Sequence, residues 1–252
     1  AAQLLKDMEA VQEMALLWAD VKPNSIPAHQ LLAFQYTLKK NYSDAILQTE
    51  KILSLGGEAR IDSLAISSKP LPETDQLEIL KLYQAFYSRH PENNEIGYSL
   101  ALVQRHLKQF EACLNTLKPI LIRHPEFEPA VVLKTNTLYD QGLLKDALAY
   151  ADEQYDNFPA NHNLGRLFAS MLIEDKQLNR AEEVFQDLID LYPQALSLKL
   201  SHALVMLENG KTDASKIELQ ELLSAGVHQN EANFYLGRIA DMNKNFSTAI
   251  QH

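Results

Sequence analysis

The sequence predicts an all-α protein, built as an α-solenoid from pairs of helices that repeat every 34 residues. Three observations lead there. Pro91, Pro125, Pro159 and Pro193 stand 34 residues apart, and Pro23 lies two such intervals before Pro91. The two empty slots in that series are Gly57 and Val227, each in a turn-like "GG" or "GV" context. The tetrapeptide RHPE occurs at Arg89–Glu92 and returns, at the same interval, at Arg123–Glu126. The 252 residues are 46% hydrophobic and 22% charged, a composition that buries a core rather than staying disordered. A fixed period of this length marks a repeat architecture, in which each unit buries its apolar face only against its neighbours.

Setting each ruler position as residue 32 of a unit divides the chain in order. A partial repeat at 1–25 supplies one second helix, about Glu9 to Asp20, ending at Pro23. Residues Ala1 to Asp7 are read as the end of a helix before it. Full repeats follow at 26–59, 60–93, 94–127, 128–161, 162–195 and 196–229, then a partial repeat at 230–252. Position 8 is small in most units: Ala33, Ala101, Thr135, Ala169, Ala203 and Gly237. Position 20 is small as well: Ala45, Cys113, Ala147, Ala181 and Ala249, with Ser215 beside Ala214. Small residues belong there because the two helices of a unit cross closely and a large side chain would overpack the contact. Large apolar residues fill the following turn, at Ile52, Ile120, Phe185, Leu188, Leu219 and Leu222.

RHPE is then the close of a second helix. Proline has no N–H to continue the ladder, and the basic residues sit where a helix C-terminus favours positive charge. The unit 60–93 is irregular. Ser67-Ser68 and Pro70-x-Pro72 replace its inter-helix turn, so its first helix should be short, about Ile61 to Ser67, with Thr74 or Asp75 capping the second. Both ends of the chain read as cut from a longer protein.

The repeat resembles the tetratricopeptide repeat, two antiparallel helices joined by a tight turn. That resemblance implies a right-handed superhelix with first helices lining a concave groove. Positions 2, 5, 9 and 12 of the first helices should face it. They bring forward Gln30, Phe34, Tyr98, Leu102, Arg105, Asn136, Tyr139, Arg166, Ser170, Phe234 and Arg238, with Leu200, Leu204 and Asp241. Tyr, Phe and Arg are the types that anchor protein partners. Leu102, Leu200 and Leu204 have an equal reading as packing between helices. The subgroup of these repeats that grips acidic C-terminal tails is disfavoured. Its position 5 lysine is replaced by Gln30, Leu64, Tyr98, Val132, Arg166, Leu200 and Phe234, and only Asn136 matches at position 9.

Chemistry is harder to find. There is no Gly-x-Ser-x-Gly elbow and no glycine-rich phosphate loop. The eight histidines never pair at metal-ligand spacing, so no metal and no cofactor is expected. Cys113 sits at a packed helix crossing and reads as a buried, unreactive thiol. A net charge of −10 and a pI near 5.3 argue against nucleic acid as the main partner. No apolar run reaches the roughly 20 residues of a membrane span.

A narrower resemblance lies in "ALLWADVKP" (Ala15–Pro23), in "DAILQTEKILSLGGEARIDSLAIS" with its irregular unit, and in "EANFYLGRIADMNKNFSTAI" (Glu231–Ile250). Together these look like the Gram-negative outer-membrane TPR lipoproteins that serve as adaptors for a periplasmic carboxyl-terminal processing protease. The resemblance implies a non-enzymatic scaffold that binds and activates that serine protease and presents cell-wall hydrolases to it. It also implies a periplasmic location, with a lipid anchor this chain lacks as its membrane contact. Self-association through the truncated ends is a further expectation. The alternatives are a scaffold of another envelope assembly (secretion, pilus or polysaccharide machinery), a cytoplasmic interaction module, or the repeat domain of a larger enzyme.

Overall fold

A computed structural model describes the backbone of residues 2–251 and the side chains of residues 10–250. Among the described residues it contains fifteen helices and no strand. After α1 (Ala2–Val21), they pair in order: α2 (Ile26–Leu38) with α3 (Tyr42–Ser54), and α4 (Asp62–Ser67) with α5 (Glu73–Arg89). Next are α6 (Asn94–His106) with α7 (Phe110–Arg123), α8 (Glu128–Asp140) with α9 (Leu144–Asn157), and α10 (His162–Glu174) with α11 (Leu178–Leu191). The last are α12 (Leu196–Glu208) with α13 (Thr212–Ser224), and α14 (Gln229–Met242) with α15 (Phe246–Gln251). The helices fall into two compact units, residues 1–137 and 138–252.

The small-residue columns lie where the helices of a pair cross. Ala101 and Cys113 are fully buried in the first unit, and Ala169, Ala181, Ala203 and Ser215 in the second. The closeness is recorded directly in one pair, where the Ser215 hydroxyl donates to the Ala203 carbonyl at 2.7 Å. Position 20 thus touches the backbone of position 8. In the irregular unit Ile79 takes position 20 and is also fully buried.

The RHPE motif does more than end a helix. α5 stops at Arg89 and α7 at Arg123, as the prolines require. The Arg123 guanidinium reaches back to the first copy of the motif, donating to the Pro91 carbonyl at 3.2 Å and pairing with Glu92 at 3.3 Å. One copy therefore stitches onto the other. In the second unit Tyr192 makes the equivalent step, donating its hydroxyl to the Ala160 carbonyl. At the ruler slot without proline, Gly57 is required by space. A Cβ there would lie 2.9 Å from Ile26 Cδ1 and 3.0 Å from Ile52 Cγ2.

Two local expectations are corrected. The first helix is not split near Glu9, since α1 continues unbroken from Ala2 to Val21 with no glycine or proline to stop it. Neither Thr74 nor Asp75 caps α5, because the helix starts at Glu73 behind Pro72 and no side chain caps it. Asp75 instead accepts from Lys40 at 3.0 Å and from the Tyr42 hydroxyl at 3.1 Å. The irregular turn is held by Gln76, whose amide nitrogen lies 3.0–3.1 Å from the carbonyls of Ser68, Lys69 and Leu71.

The turn between paired helices carries a feature the sequence reading passed over. Lys40, Lys108, Lys176 and Lys244 all have positive φ, between 58° and 63°. Gly142 and Gly210 occupy the same repeat position with φ of 82° and 77°. The left-handed conformation crowds the lysine Cβ, and glycine relieves it.

Two stability outcomes follow. Ala181→Leu should lower stability by about 1–3 kcal/mol through overpacking at the crossing, and Ala147→Leu by a similar amount. Unchanged denaturant midpoints for both would contradict the assigned register. Lys108→Gly should raise stability by about 0.5–1 kcal/mol. A lower melting temperature for that variant would show that the lysine is held by more than the turn.

Candidate functional site: the exposed first-helix positions

In the first unit, Gln30 is exposed and donates to the Glu58 carbonyl at 3.1 Å. Phe34, one turn on, is 59% exposed. Tyr98 is half-buried with its ring edge-on to Phe127 at 6.0 Å, and burial pushes its phenol pKa up. Arg105 is half-buried, and Asn136 is committed to its own helix through the Val132 carbonyl at 2.9 Å. Leu102 is not a surface residue. It is buried in the core with Leu100 and Val103, so the packing reading holds for it.

In the second unit, the Tyr139 hydroxyl donates to Glu174 at 2.6 Å. That bond, followed by burial, raises the Tyr139 pKa. Arg166 and Ser170 are exposed on α10, and the Ser170 hydroxyl donates to the Arg166 carbonyl at 2.9 Å. Leu200 and Leu204 are half-buried on α12, and Asp241 is exposed on α14. Phe234 is 61% exposed, with the Tyr235 ring edge-on to it at 5.1 Å. The Arg238 guanidinium lies 5.8 Å from the centre of the Tyr235 ring. The expected residues therefore divide between the units, from Gln30 to Asn136 in one and from Tyr139 to Arg238 in the other.

Sequence reasoning missed several titratable contacts, because their partners lie far apart in the chain. Ser68 Oγ is 3.0 Å from His106 Nδ1, a spacing that resembles a nucleophile and its base. The chemistry does not follow. Ser68 is fully buried, and its hydroxyl proton goes to the Ala65 carbonyl at 2.7 Å. The hydroxyl oxygen can then only accept, so Nδ1 carries the hydrogen. Burial, with Arg105 and Lys69 nearby, depresses the imidazole pKa to about 4, making it a poor base at neutral pH. Cys113 is equally closed. It is fully buried, burial raises its thiol to about 11, and its sulfur lies 3.3 Å from the Thr137 hydroxyl.

Glu50 forms the most connected ion cluster. Arg89 donates to both of its oxygens at 2.9 and 2.8 Å, and His90 Nε2 lies 2.8 Å from one of them. The Arg89 hydrogen bonds, with help from His90, hold the Glu50 carboxyl below its ordinary range. This cluster joins α3 to the end of α5 and so serves packing. Among the described residues no three His, Cys, Asp or Glu side chains stand together as a metal site. No helix among them is long and apolar enough to cross a membrane.

The likeness of the fold to solved structures is extensive. Yeast Tom70 aligns over 98% of this chain and 54% of its own, with a TM-score of 0.60 and 12% identity. A tetratricopeptide repeat protein from Parabacteroides merdae covers 89% of both chains, with a TM-score of 0.54 and 15% identity. The fold is that of a tetratricopeptide-repeat protein. Pseudomonas aeruginosa pilF gives a TM-score of 0.59 over 76% of this chain and 86% of its own, at 13% identity. Among curated proteins, the TPR repeat-containing protein PA4667 of Pseudomonas aeruginosa is 26% identical over 133 residues. That alignment spans 49% of this chain and only 22% of the relative's length. No family model matches the chain.

The Glu50 cluster gives a pH-dependent outcome. A carboxyl that titrates lower when folded adds stability above its unfolded range and loses it as pH falls through the lowered folded value. Glu50→Gln should therefore cost about 0.5–1 kcal/mol near neutral pH, a modest loss because the arginine is half exposed. The difference from wild type in denaturant midpoint should shrink as pH falls through the lowered folded value. A difference independent of pH would show that Glu50 acts by packing rather than charge.

Proposed function

We propose that the chain is a protein-interaction scaffold without catalytic activity of its own. In this reading it is a periplasmic adaptor, held at the outer membrane in the full-length protein, that binds and activates a carboxyl-terminal processing serine protease. It presents cell-wall hydrolases to that protease. The observation that carries the scaffold reading is the residue content of the exposed first-helix positions. Phe34, Phe234, Arg166 and Arg238 are large amphipathic or aromatic side chains left on the surface of a core that is otherwise well filled. Such residues dominate binding energy when they become buried against a partner. The adaptor role draws on the segments that resemble that lipoprotein family, and the relative in Pseudomonas aeruginosa supports only the repeat class. A second reading, a scaffold of a pilus-related envelope assembly, is supported by the likeness to pilF.

The test is reconstitution with the processing protease of the same bacterium and a cell-wall endopeptidase as substrate. The adaptor reading expects a complex on size-exclusion chromatography and faster cleavage when the chain is added. Phe234→Ala should weaken the complex by about 2 kcal/mol, roughly 30-fold, with helicity unchanged. Neither a complex nor acceleration with the wild-type chain would end the adaptor reading.

A further inference from the structure

Residues 138–252 carry 17 Asp and Glu against nine Lys and Arg, whereas residues 1–137 are nearly balanced, with 16 against 14. Part of that excess gathers on two second helices. On α9, Asp152, Tyr155 and Asp156 share one face, at spacings of three and four. On α11, Arg180, Glu183 and Asp187 share another. The two faces meet. The Arg180 guanidinium lies 3.7 Å from Asp152 across the helices and 3.0 Å from Glu183 on its own helix. Below them, Ala147, Ala151 and Tyr155 of α9 share a core with Ala181, Val184 and Leu188 of α11. Of the six side chains on the two faces, Arg180 alone is basic, and it is engaged by Asp152 and Glu183. Asp156 and Asp187 are exposed. Among the described residues their carboxylates form no ion pair and accept no hydrogen bond.

Tyr155 supplies a second, independent observation. Its side chain is only 3% exposed, yet its hydroxyl has no hydrogen-bond partner. Burial, then the charge of Asp187, raises its pKa to about 12, with Arg180 opposing. The phenol therefore keeps its proton and lies in the field of the charged seam. Gly165 of α10 gives the ring its room, since a Cβ there would lie 3.1 Å from Tyr155 Cε2. Phenylalanine would fill the same core without stranding a hydroxyl, and a stranded hydroxyl is destabilising.

The unmet groups define the ligand. Two unpaired carboxylates select a cation. A phenol both donates and accepts a hydrogen bond. A bare metal ion offers the phenol no acceptor, whereas a peptide brings a side-chain N–H and a backbone carbonyl together. Arginine suits carboxylates better than lysine, because its planar fork holds five donors in fixed geometry. We propose that the α9–α11 seam docks an arginine-bearing basic segment of a protein partner, with guanidinium groups on Asp156 and Asp187 and a hydrogen bond to the Tyr155 hydroxyl. The surface belongs to second helices, apart from the first-helix residues of the scaffold reading. It rests on that reading only in taking a protein as partner.

The probe is an end-blocked, fluorescein-labelled heptapeptide, Gly-Ser-Arg-Ser-Arg-Ser-Gly, with a counterpart in which citrulline, a neutral mimic, replaces both arginines. Anisotropy titration at low ionic strength should show the arginine peptide binding about tenfold more tightly. Asp156→Asn combined with Asp187→Asn should erase most of that preference, with circular dichroism and melting temperature at wild-type values. A charge-matched control, Asp213→Asn combined with Glu231→Gln, should keep it. Tyr155→Phe should melt at or above the wild-type temperature and still bind the arginine peptide about threefold more weakly. Equal binding of the two peptides would overturn the proposal. So would an equal loss in the control, which would reduce the effect to diffuse charge, or an unchanged affinity in Tyr155→Phe. Calorimetric binding of calcium ion alone, lost in the Asp156 and Asp187 double variant, would make the seam a metal site and overturn it too. The protease assay keeps this proposal distinct from the adaptor reading. Stimulation by the wild-type chain without any arginine preference sinks the seam and leaves the adaptor standing. Carboxylate-dependent binding of the arginine peptide without stimulation supports the seam and sinks the adaptor.

Discussion

Everything in this molecule depends on two helices crossing closely enough for a side chain on one to touch the backbone of the other. The Ser215 hydroxyl on the Ala203 carbonyl, at 2.7 Å, is that contact made visible. Where position 20 is alanine or cysteine the same approach is recorded only as complete burial, at Cys113, Ala147 and Ala181. Close crossing sets a short inter-helix turn. A short turn forces one residue into the left-handed region, which glycine meets at 142 and 210 and lysine meets, under strain, at 40, 108, 176 and 244. The strain is tolerated because the packed helices on both sides leave the turn no other conformation.

The connections between pairs obey a second constraint. Proline follows the second helix in most units, and carbonyls left free there are recovered from the next repeat. Arg123 takes Pro91 and Tyr192 takes Ala160. Asparagine caps open two of the next first helices, with Asn93 accepting from the Ile96 amide at 3.0 Å and Asn161 from the Leu164 amide at 2.9 Å. In the proposed reading, function falls to residues that neither the crossings nor the connections use. Phe34, Arg166, Phe234 and Arg238 are the clearest of these.

The helix pairing was legible in the sequence because each of its constraints is local or recurs at a fixed interval. Proline at the ruler positions and small residues at the crossings are properties of single sites. Asp75 shows where this stops. As a residue type it is a good cap, yet a lysine and a tyrosine more than 30 residues away claim its carboxylate. Gln76 and Glu50 were invisible for the same reason, since their partners follow from packing and not from spacing. The positive-φ lysines were legible in principle, because they align with glycines one repeat away. For the candidate surface, the repeat register separated exposed from buried residues well at Phe34, Arg166 and Phe234. It failed at Leu102, where an apolar residue at a surface-type position turned into the core.

The central claim is that the volume available at the helix crossing dictates the fold of each unit. A double-mutant cycle at Ala169 and Ala181, both fully buried in one helix pair, tests it most directly. Ala181→Val alone overfills the crossing, and Ala169→Gly alone loosens it and weakens its helix. If the two sites share one limited volume, the double variant should be more stable than the sum of the single losses by about 1 kcal/mol, measured from denaturant midpoints. Strict additivity would mean that the two residues do not compete for the same space, and would contradict the account.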